Sequence, residues 1–553
     1  MKILMCSEAS FLSSGFAIYA KELLSRLHST NKYEIAEFAS YGLVNDPKDV
    51  TIKWRYYANA VGNDDPRHKE YTSRPDNQFG RWRFEKVLLD FKPDVVIDVR
   101  DYWMSHYQAT SPLRKYFHWI LMPTVDSAPQ QESWLDTYLS ADAVFTYSDW
   151  GAKVLLDQTS NQINYIDTAA PGVDLETFKP VNDSIKRTIK QNLGLPEDSV
   201  IVGSVMRNQK RKLIPDLLIS FRKVLDNLKK QNSPLYNKTF LYLHTSYPDI
   251  GWDIPELLKS NRLSNRVFFT YSCKKCNDII AKTFCGPATG CQNCMEVSCA
   301  FPTVTRGISS KQLASIYNIF DYYVQYAICE GAGMPQVEAG ASGLPILTVD
   351  YSAMVDIIEK LGAQKIKVQT KFKELETKAF RAYPDNDDLA DKLLCLLAMS
   401  SEELDKIKTK TRKLTEKYYN WDDVAKKWEA YLDKLDAKGF RSNWDIDPRH
   451  LVPIQSLDKQ QINGQYFDLL INICNNHLHN YQLMSSMFFL DMLKDLDYGF
   501  VQSGTTIDSY GLNNMEETIS TYIDNINNSE RVRHGKVVFN DDYLEYARIK
   551  GSS

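Results

Sequence analysis

The sequence predicts an α/β fold made of two doubly wound units in series, each a mainly parallel sheet with helices on both faces. Three observations carry this. Short runs rich in β-branched and aromatic residues alternate with helical patterns, as a parallel sheet with crossover helices requires. The alternation restarts after a polar stretch at 174–198 that holds Pro180 and Pro196. The chain has 553 residues, 43% hydrophobic and 25% charged, enough for two or three domains with their own cores.

The elements follow in order. In the first unit the strands are expected at 3–6, 95–99, 119–122 and 143–147. After the first comes an amphipathic helix, because Phe16, Tyr19, Leu23, Leu24 and Leu27 recur every three or four residues. The polar stretch at 174–198 reads as a linker. The second unit has expected strands at 200–205, 240–244, 267–270, 322–326 and 346–349, with a helix at 213–228. From about Asp445 the character changes. A helical stripe of Tyr466, Leu469, Leu470, Ile473, Leu478, Leu483 and Met487 makes 445–553 a mostly helical extension. The domains are therefore expected at 1–180, 181–435 and 445–553.

Composition excludes some classes. The net charge of −4 gives the whole molecule no pull on nucleic acid or anionic membrane, although a local basic groove is allowed. No run approaches the ~18 apolar residues of a membrane span. The opening MKILMCSEASF holds a four-residue apolar run, against roughly 7–15 residues in a secretory signal. The expected compartment is the cytoplasm, or the host cytoplasm if the gene is viral.

The richest segment is 329–345. It follows a strand and runs into a helix beginning near Met334. Gly331, Ala332 and Gly333 let a backbone approach a ligand closely, and a helix start offers N–H groups to a diphosphate or sugar oxygen. Glu330 and Glu338 flank the turn and can grip two parts of an extended ligand. A second turn, after the strand at 200–205, carries Arg207, Lys210, Arg211 and Lys212. Placed at a strand's carboxyl end, its cations can stabilise a leaving diphosphate.

The E-x7-E spacing of Glu330 and Glu338, followed by small residues and Gly343-Leu344-Pro345, resembles the retaining glycosyltransferases of family 4. These have the GT-B fold, two facing Rossmann-like domains. Other strings agree in the expected order: Tyr147-Ser148-Asp149-Trp150-Gly151, then Gly172-Val173-Asp174 with Phe178 and Pro180, and Tyr419-Asn420-Trp421 opening a closing helix that packs back on the first domain. The resemblance spans 1–435. It implies that Glu330 lies by the donor sugar, that Glu338 accepts from ribose hydroxyls, and that Gly331, Ala332, Gly333 and Met334 line the donor. Arg207 and Lys212 best match the family's basic pair, with Arg211 open as an alternative. Gly15, after Ser13 and Ser14, matches a loop near the donor phosphates; Ser14 equally suits a helix cap. Asp126 stands where many members have a histidine. It is expected to accept from a sugar or acceptor hydroxyl, or to cap the following helix. Asp101 and Tyr102, past the strand at 95–99, are candidate acceptor contacts. The implied donor is a nucleoside-diphosphate sugar, with no catalytic divalent metal.

One cluster departs from that pattern. Cys273-Lys274-Lys275-Cys276 and Cys291-Gln292-Asn293-Cys294 are two C-x-x-C pairs separated by fourteen residues. Each pair can present two thiolates from one tight turn, and two turns make a tetrahedral site suited to structural zinc. Cys285 and Cys299 are spare thiols able to replace a member. This zinc-ribbon-like insert, 271–304, falls at a junction that in the resembling family lies near the nucleotide base. Three functions remain open: a transferase acting on a glycan, protein or small molecule; one acting on nucleic acid, such as a hydroxymethylated base in viral DNA; and a non-catalytic sugar-nucleotide or nucleic-acid binder.

Overall fold

The computed structural model of the chain describes residues 1–43, 52–111, 113–303 and 306–437, with the strand pair Val501–Gln502 and Thr505–Thr506. Apart from that pair, the extension expected at 445–553 lies outside the described residues.

The first lobe is a seven-stranded parallel sheet. Its strands are β1 (Lys2–Glu8), β2 (Glu34–Leu43), β3 (Arg55–Ala60), β4 (Val95–Arg100), β5 (His118–Pro123), β6 (Ala143–Thr146) and β7 (Tyr165–Thr168), ordered β3-β2-β1-β4-β5-β6-β7. The order reverses between β1 and β4, the place where open α/β sheets bind ligands. Every residue of β4 is buried, as expected of a strand covered on both faces. Its two charges, Asp98 and Arg100, pair with each other inside the sheet, and Gln108 Nε2 donates to Asp98 at 2.7 Å.

Strands β2 and β3 were not among the expected elements, and the chemistry explains why. The sequence of β2 is interrupted by Glu37, which reads as a surface residue. Glu37 is instead fully buried, accepting from Ser10 N at 2.6 Å, Ser10 Oγ at 2.8 Å and Trp54 Nε1 at 2.8 Å. Hydrogen bonding of this kind is what permits a buried carboxylate.

The second lobe carries β8 (Val200–Val205), β9 (Thr239–His244), β10 (Val267–Cys273), β11 (Ile279–Thr283), β12 (Ala288–Thr289), β13 (Cys299–Ala300), β14 (Tyr322–Gln325), β15 (Ile346–Val349) and β16 (Gln364–Ile366). The order is β12-β13-β10-β9-β8-β14-β15-β16, with β11 paired to β10. The parallel centre is a second Rossmann-like sheet. The cysteine insert is the antiparallel edge that grows from the end of β10. A hairpin of β17 (Val368–Lys373) and β18 (Phe380–Pro384) follows.

The polar stretch expected to be a linker holds a helix, Asp183–Leu193, capped by Asn182. Its polarity is that of an exposed helical face. Lys186 Nζ anchors it to the second lobe through Phe320 O at 2.6 Å and Asp321 at 2.7 Å.

The last described helix, Trp421–Ala437, returns to the first lobe. Trp421, Val424, Trp428 and Leu432 join the core of β1, β4 and β5. Trp428 stacks on Phe145 with ring centroids 4.1 Å apart, and its Nε1 donates to Tyr19 Oη at 2.8 Å. The two crossings between lobes lie side by side, joined by Val173 N to Tyr419 O at 2.9 Å and a parallel bridge from Val173 to Asn420.

Candidate functional site

The lobes meet at the carboxyl ends of both sheets, and the segment after β14 packs closely on the first lobe. A Cβ on Gly331 would lie 2.3 Å from Thr124 Cγ2 of the first lobe, so only glycine fits there. A Cβ on Gly15, at the start of helix Gly15–Ser29, would lie 3.6 Å from Met334 Sδ. Ala332 and Met334 pack on the first-lobe core. Gly333 has φ +76° and serves as the N-cap of helix Met334–Ala341, a left-handed position that glycine adopts without strain.

Glu330 sits behind this loop, 5% exposed. Its carboxylate accepts from Lys212 Nζ, from Arg211 Nη1 at 3.1 Å and from Gln325 Nε2 at 2.5 Å, while Ser352 Oγ accepts from its backbone N–H at 2.9 Å. Burial alone would raise its pKa, but Lys212 and Arg211 hold it down at about 2. Burial and the neighbouring Arg211 push the Lys212 ammonium down to about 8. The two shifts agree: two cations share one carboxylate, so the anion is well stabilised and the more buried cation is not. The basic turn is laced to the loop by Ile328 N to Arg211 O at 3.0 Å and Leu213 N to Tyr326 O at 3.3 Å.

Arg207 and Arg211 separate in space. Arg207 forms a two-bond pair with Asp249 at 2.8 and 2.9 Å and is 43% exposed at its side chain. The Arg211 side chain is 41% exposed, so the partner separates the two: Arg211 is the guanidinium that reaches Glu330. Glu338 is half-buried and accepts from Tyr317 Oη at 2.7 Å; burial pushes its carboxyl up to about 7. The helix start offers fewer N–H groups than its position suggests. Pro335 has none, and Gln336 N is used by Gly333 O at 2.9 Å. The Gln336 side-chain amide is completely buried there, and among the described residues neither of its polar atoms has a partner.

On the first lobe, Ser14 caps its helix through Ala17 N at 3.2 Å, and its hydroxyl also donates to Glu8. Burial raises the Glu8 carboxyl above its ordinary range. Asp126 does not cap a helix: Gln131 occupies the cap position of helix Glu132–Leu139. The Asp126 carboxylate instead takes Arg381 Nη1 at 2.7 Å and Cys329 Sγ at 3.2 Å from the second lobe. Arg381 lies on β18, a full 255 residues away, and also pairs with Glu374 at 2.8 Å. Beside that pair, Phe380 N donates to Ala128 O at 2.8 Å. Nearby, the Asp356 carboxylate caps the first-lobe helix Asp149–Gln158, accepting from Asp149 N at 2.7 Å and Trp150 N at 3.0 Å. Burial pushes the Asp101 carboxyl up to about 7, with Asp126 adding to the rise. Tyr102 stacks on Trp134 with centroids 5.0 Å apart. No local signal marks Glu8, Gln336 or Arg381, because each acquires its role from a partner distant in sequence.

The sulfurs of Cys273, Cys276, Cys291 and Cys294 all lie within 4.8 Å of one another. Cys273–Cys294 and Cys276–Cys291 are both 3.6 Å apart, too far for disulfides. A tetrahedron with metal–sulfur bonds of about 2.3 Å has edges of about 3.8 Å, so the donor set fits a zinc ion. The N–H groups of Lys275 and Asn293 point at Cys273 Sγ and Cys291 Sγ at 3.3 and 3.4 Å, which favours thiolate. Cys285 is exposed and Cys299 is buried, both outside the four.

Two facing Rossmann-like sheets with the cleft between them define the GT-B fold of glycosyltransferases, and solved structures of that class resemble the chain. Sucrose-phosphate synthase from Thermosynechococcus elongatus superposes with a TM-score of 0.58 at 17% identity, over 79% of this chain and all of that one. Anabaena HepE in complex with UDP and glucose gives 0.53 at 13% identity, over 79% and 100%. The Escherichia coli trehalose-6-phosphate protein bound with UDP-2-fluoro glucose gives 0.52 at 13% identity, over 79% and 99%. No protein-family model and no curated protein matches the chain. Among the described residues, no helix is long and apolar enough to cross a membrane.

Proposed function

We propose that the chain is a retaining glycosyltransferase that moves a sugar from a nucleoside-diphosphate donor to an acceptor hydroxyl. One observation carries the reading: a buried carboxylate, Glu330, stands with Arg211, Lys212 and Gln325 at the carboxyl end of β14, behind the loop that packs on the other lobe. Lys212 and Arg211 supply positive charge where a leaving diphosphate develops its negative charge, in a dry site where such charge acts strongly. Arg207 assists from its pair with Asp249. The backbone of Gly331, Ala332, Gly333 and Met334 lies along the sugar and phosphates, with Gly15 opposite. Glu338 accepts from the ribose hydroxyls. In a front-face reaction the sugar passes through an oxocarbenium-like state, and the leaving phosphate takes the acceptor proton. Closure of the lobes excludes water and limits donor hydrolysis.

Cys273, Cys276, Cys291 and Cys294 hold a structural zinc. When bound, the ion ties the insert's turns together at the edge of the second sheet, next to the expected site of the nucleotide base. Reduced thiols and zinc suit the cytoplasm. UDP-sugars are the first donors to test, because structural neighbours were solved with UDP. The experiment is release of nucleoside diphosphate from a panel of sugar nucleotides, comparing the wild type with Glu330→Gln. Release that depends on Glu330 supports the reading. Absence of both release and UDP binding by the wild type overturns it.

A further inference from the structure

We infer that the acceptor is an uncharged, hydroxyl-rich molecule, a sugar or glycan end without phosphate, held by Glu8, Asp101, Tyr138 and Tyr147 of the first lobe. The inference rests on the transferase reading above. Consecutive strands of the first sheet each bring a polar group to the same edge. Glu8 ends β1, Asp101 follows β4, Asp126 follows β5 and Tyr147 follows β6, and these strands are neighbours in that order. The row therefore crosses the switch point and faces the donor loop of the other lobe.

A second observation, independent of the carboxylates, points to a ligand. Tyr138 and Tyr147 are 0% and 7% exposed, and among the described residues neither hydroxyl has a hydrogen-bond partner. Tyr147 directly follows β6 in the row, and Tyr138 lies edge-on to Tyr102, the residue after Asp101; the charges of Asp101 and Asp126 reach Tyr138, and those of Asp101 and Glu8 reach Tyr147. Buried hydroxyls left without a partner are costly, and a polyhydroxylated ligand supplies the missing donors and acceptors. Tyr102, stacked on Trp134 and edge-on to Tyr138, gives the row an aromatic side wall on which a sugar face can lie.

Charge selects the class. The cations whose charge reaches this row each already have a carboxylate partner: Arg100 has Asp98, Arg381 has Asp126 of the row itself and Glu374, Arg207 has Asp249, and Arg211 has Glu330. A phosphorylated acceptor would bring roughly −1.5 to −2 of charge against Glu8 and Asp101. Duplex DNA would bring a continuous row of phosphates. Carboxylates accept directly from sugar hydroxyls and lose nothing by the absence of phosphate.

The test measures nucleoside-diphosphate release from the full chain with its best donor. Acceptors are glucose and maltose, their phosphorylated counterparts, and hydroxymethylated duplex DNA. The expected result is stimulation by a neutral saccharide, at least tenfold above its phosphate ester in kcat/KM. Asp101→Asn should lower that ratio about tenfold, and Tyr138→Phe should weaken use of the neutral acceptor. UDP binding, supplied by the other lobe, reports that either variant is folded. Preference for phosphorylated sugars or DNA overturns the inference while leaving the transferase reading intact. Donor hydrolysis that no saccharide stimulates also overturns it. Absence of donor binding and hydrolysis removes the transferase reading itself, and the inference with it.

Discussion

The two walls of the cleft handle charge in opposite ways. On the second-lobe wall the basic turn is matched by carboxylates: Glu330 with Lys212 and Arg211, and Arg207 with Asp249. On the first-lobe wall Tyr138 and Tyr147 have buried hydroxyls without partners, and burial raises the carboxyls of Glu8 and Asp101. A basic turn already paired meets its ligand by exchanging partners. A wall left unsatisfied is completed by the ligand. The first arrangement suits a donor whose diphosphate competes for the cations, and the second suits an acceptor recognised through hydroxyls.

The largest expected effect breaks the matched wall. Glu330→Gln leaves Lys212 buried without its anion and takes the partner of Arg211, which should cost on the order of 3–5 kcal/mol and abolish donor turnover. Urea unfolding and product release check both. If the variant is as stable as the wild type, the network is not what stabilises the wall. Next, Arg211→Ala and Lys212→Ala, which remove partners of Glu330, should each lower kcat by about 10²–10³, whereas Arg207→Ala, whose partner is Asp249, should lower it only several-fold. Equal losses at all three positions would erase the distinction between the pair on Glu330 and the arginine on Asp249.

Removal of the metal sharpens the comparison from outside the cleft. The chain should carry one zinc per molecule, measurable by elemental analysis. Cys276→Ser should lose it, with a lower Tm and weaker UDP binding, while the acceptor wall stays intact. The smallest effect is a pH dependence. The Glu338 carboxyl lies near 7, above its ordinary 4.5, so its ability to accept from ribose is lost as pH falls below about 7. The donor KM should rise several-fold between pH 7.5 and 6 in the wild type, and this part should vanish in Glu338→Gln. The linkage to stability runs the other way: the folded state holds the proton more tightly, so this group lowers stability as pH rises from about 4.5 to 7.

Much of this architecture was legible in the sequence because it is written locally. Residues 200–205 and 346–349 are apolar runs that became β8 and β15 without change. The loop after β14, with Glu330, three small residues and a helix start, was legible as a loop running into a helix near Met334. The cysteine spacing gave the four-sulfur cluster. What was not legible depends on long-range pairing. Glu37 hides β2 behind a charge that only Ser10 and Trp54 make tolerable. Asp126 was expected at a hydroxyl or a helix end, and no local signal foretells Arg381 as its partner. The choice between Arg207 and Arg211 turned on Asp249, which lies 42 residues from Arg207. Periodicity reports which side of an element is buried and is silent on which charges meet there.

The paired crossings at Val173 and Asn420 limit how the cleft can work. Two backbone segments bonded side by side behave as a door hung on two pins: the lobes can swing about that line, but they cannot slide past each other. On the transferase reading proposed above, Glu330 would meet the same row of first-lobe residues at every closure, and the alignment of sugar with acceptor would be inherited from the spine of the molecule rather than found anew by each substrate.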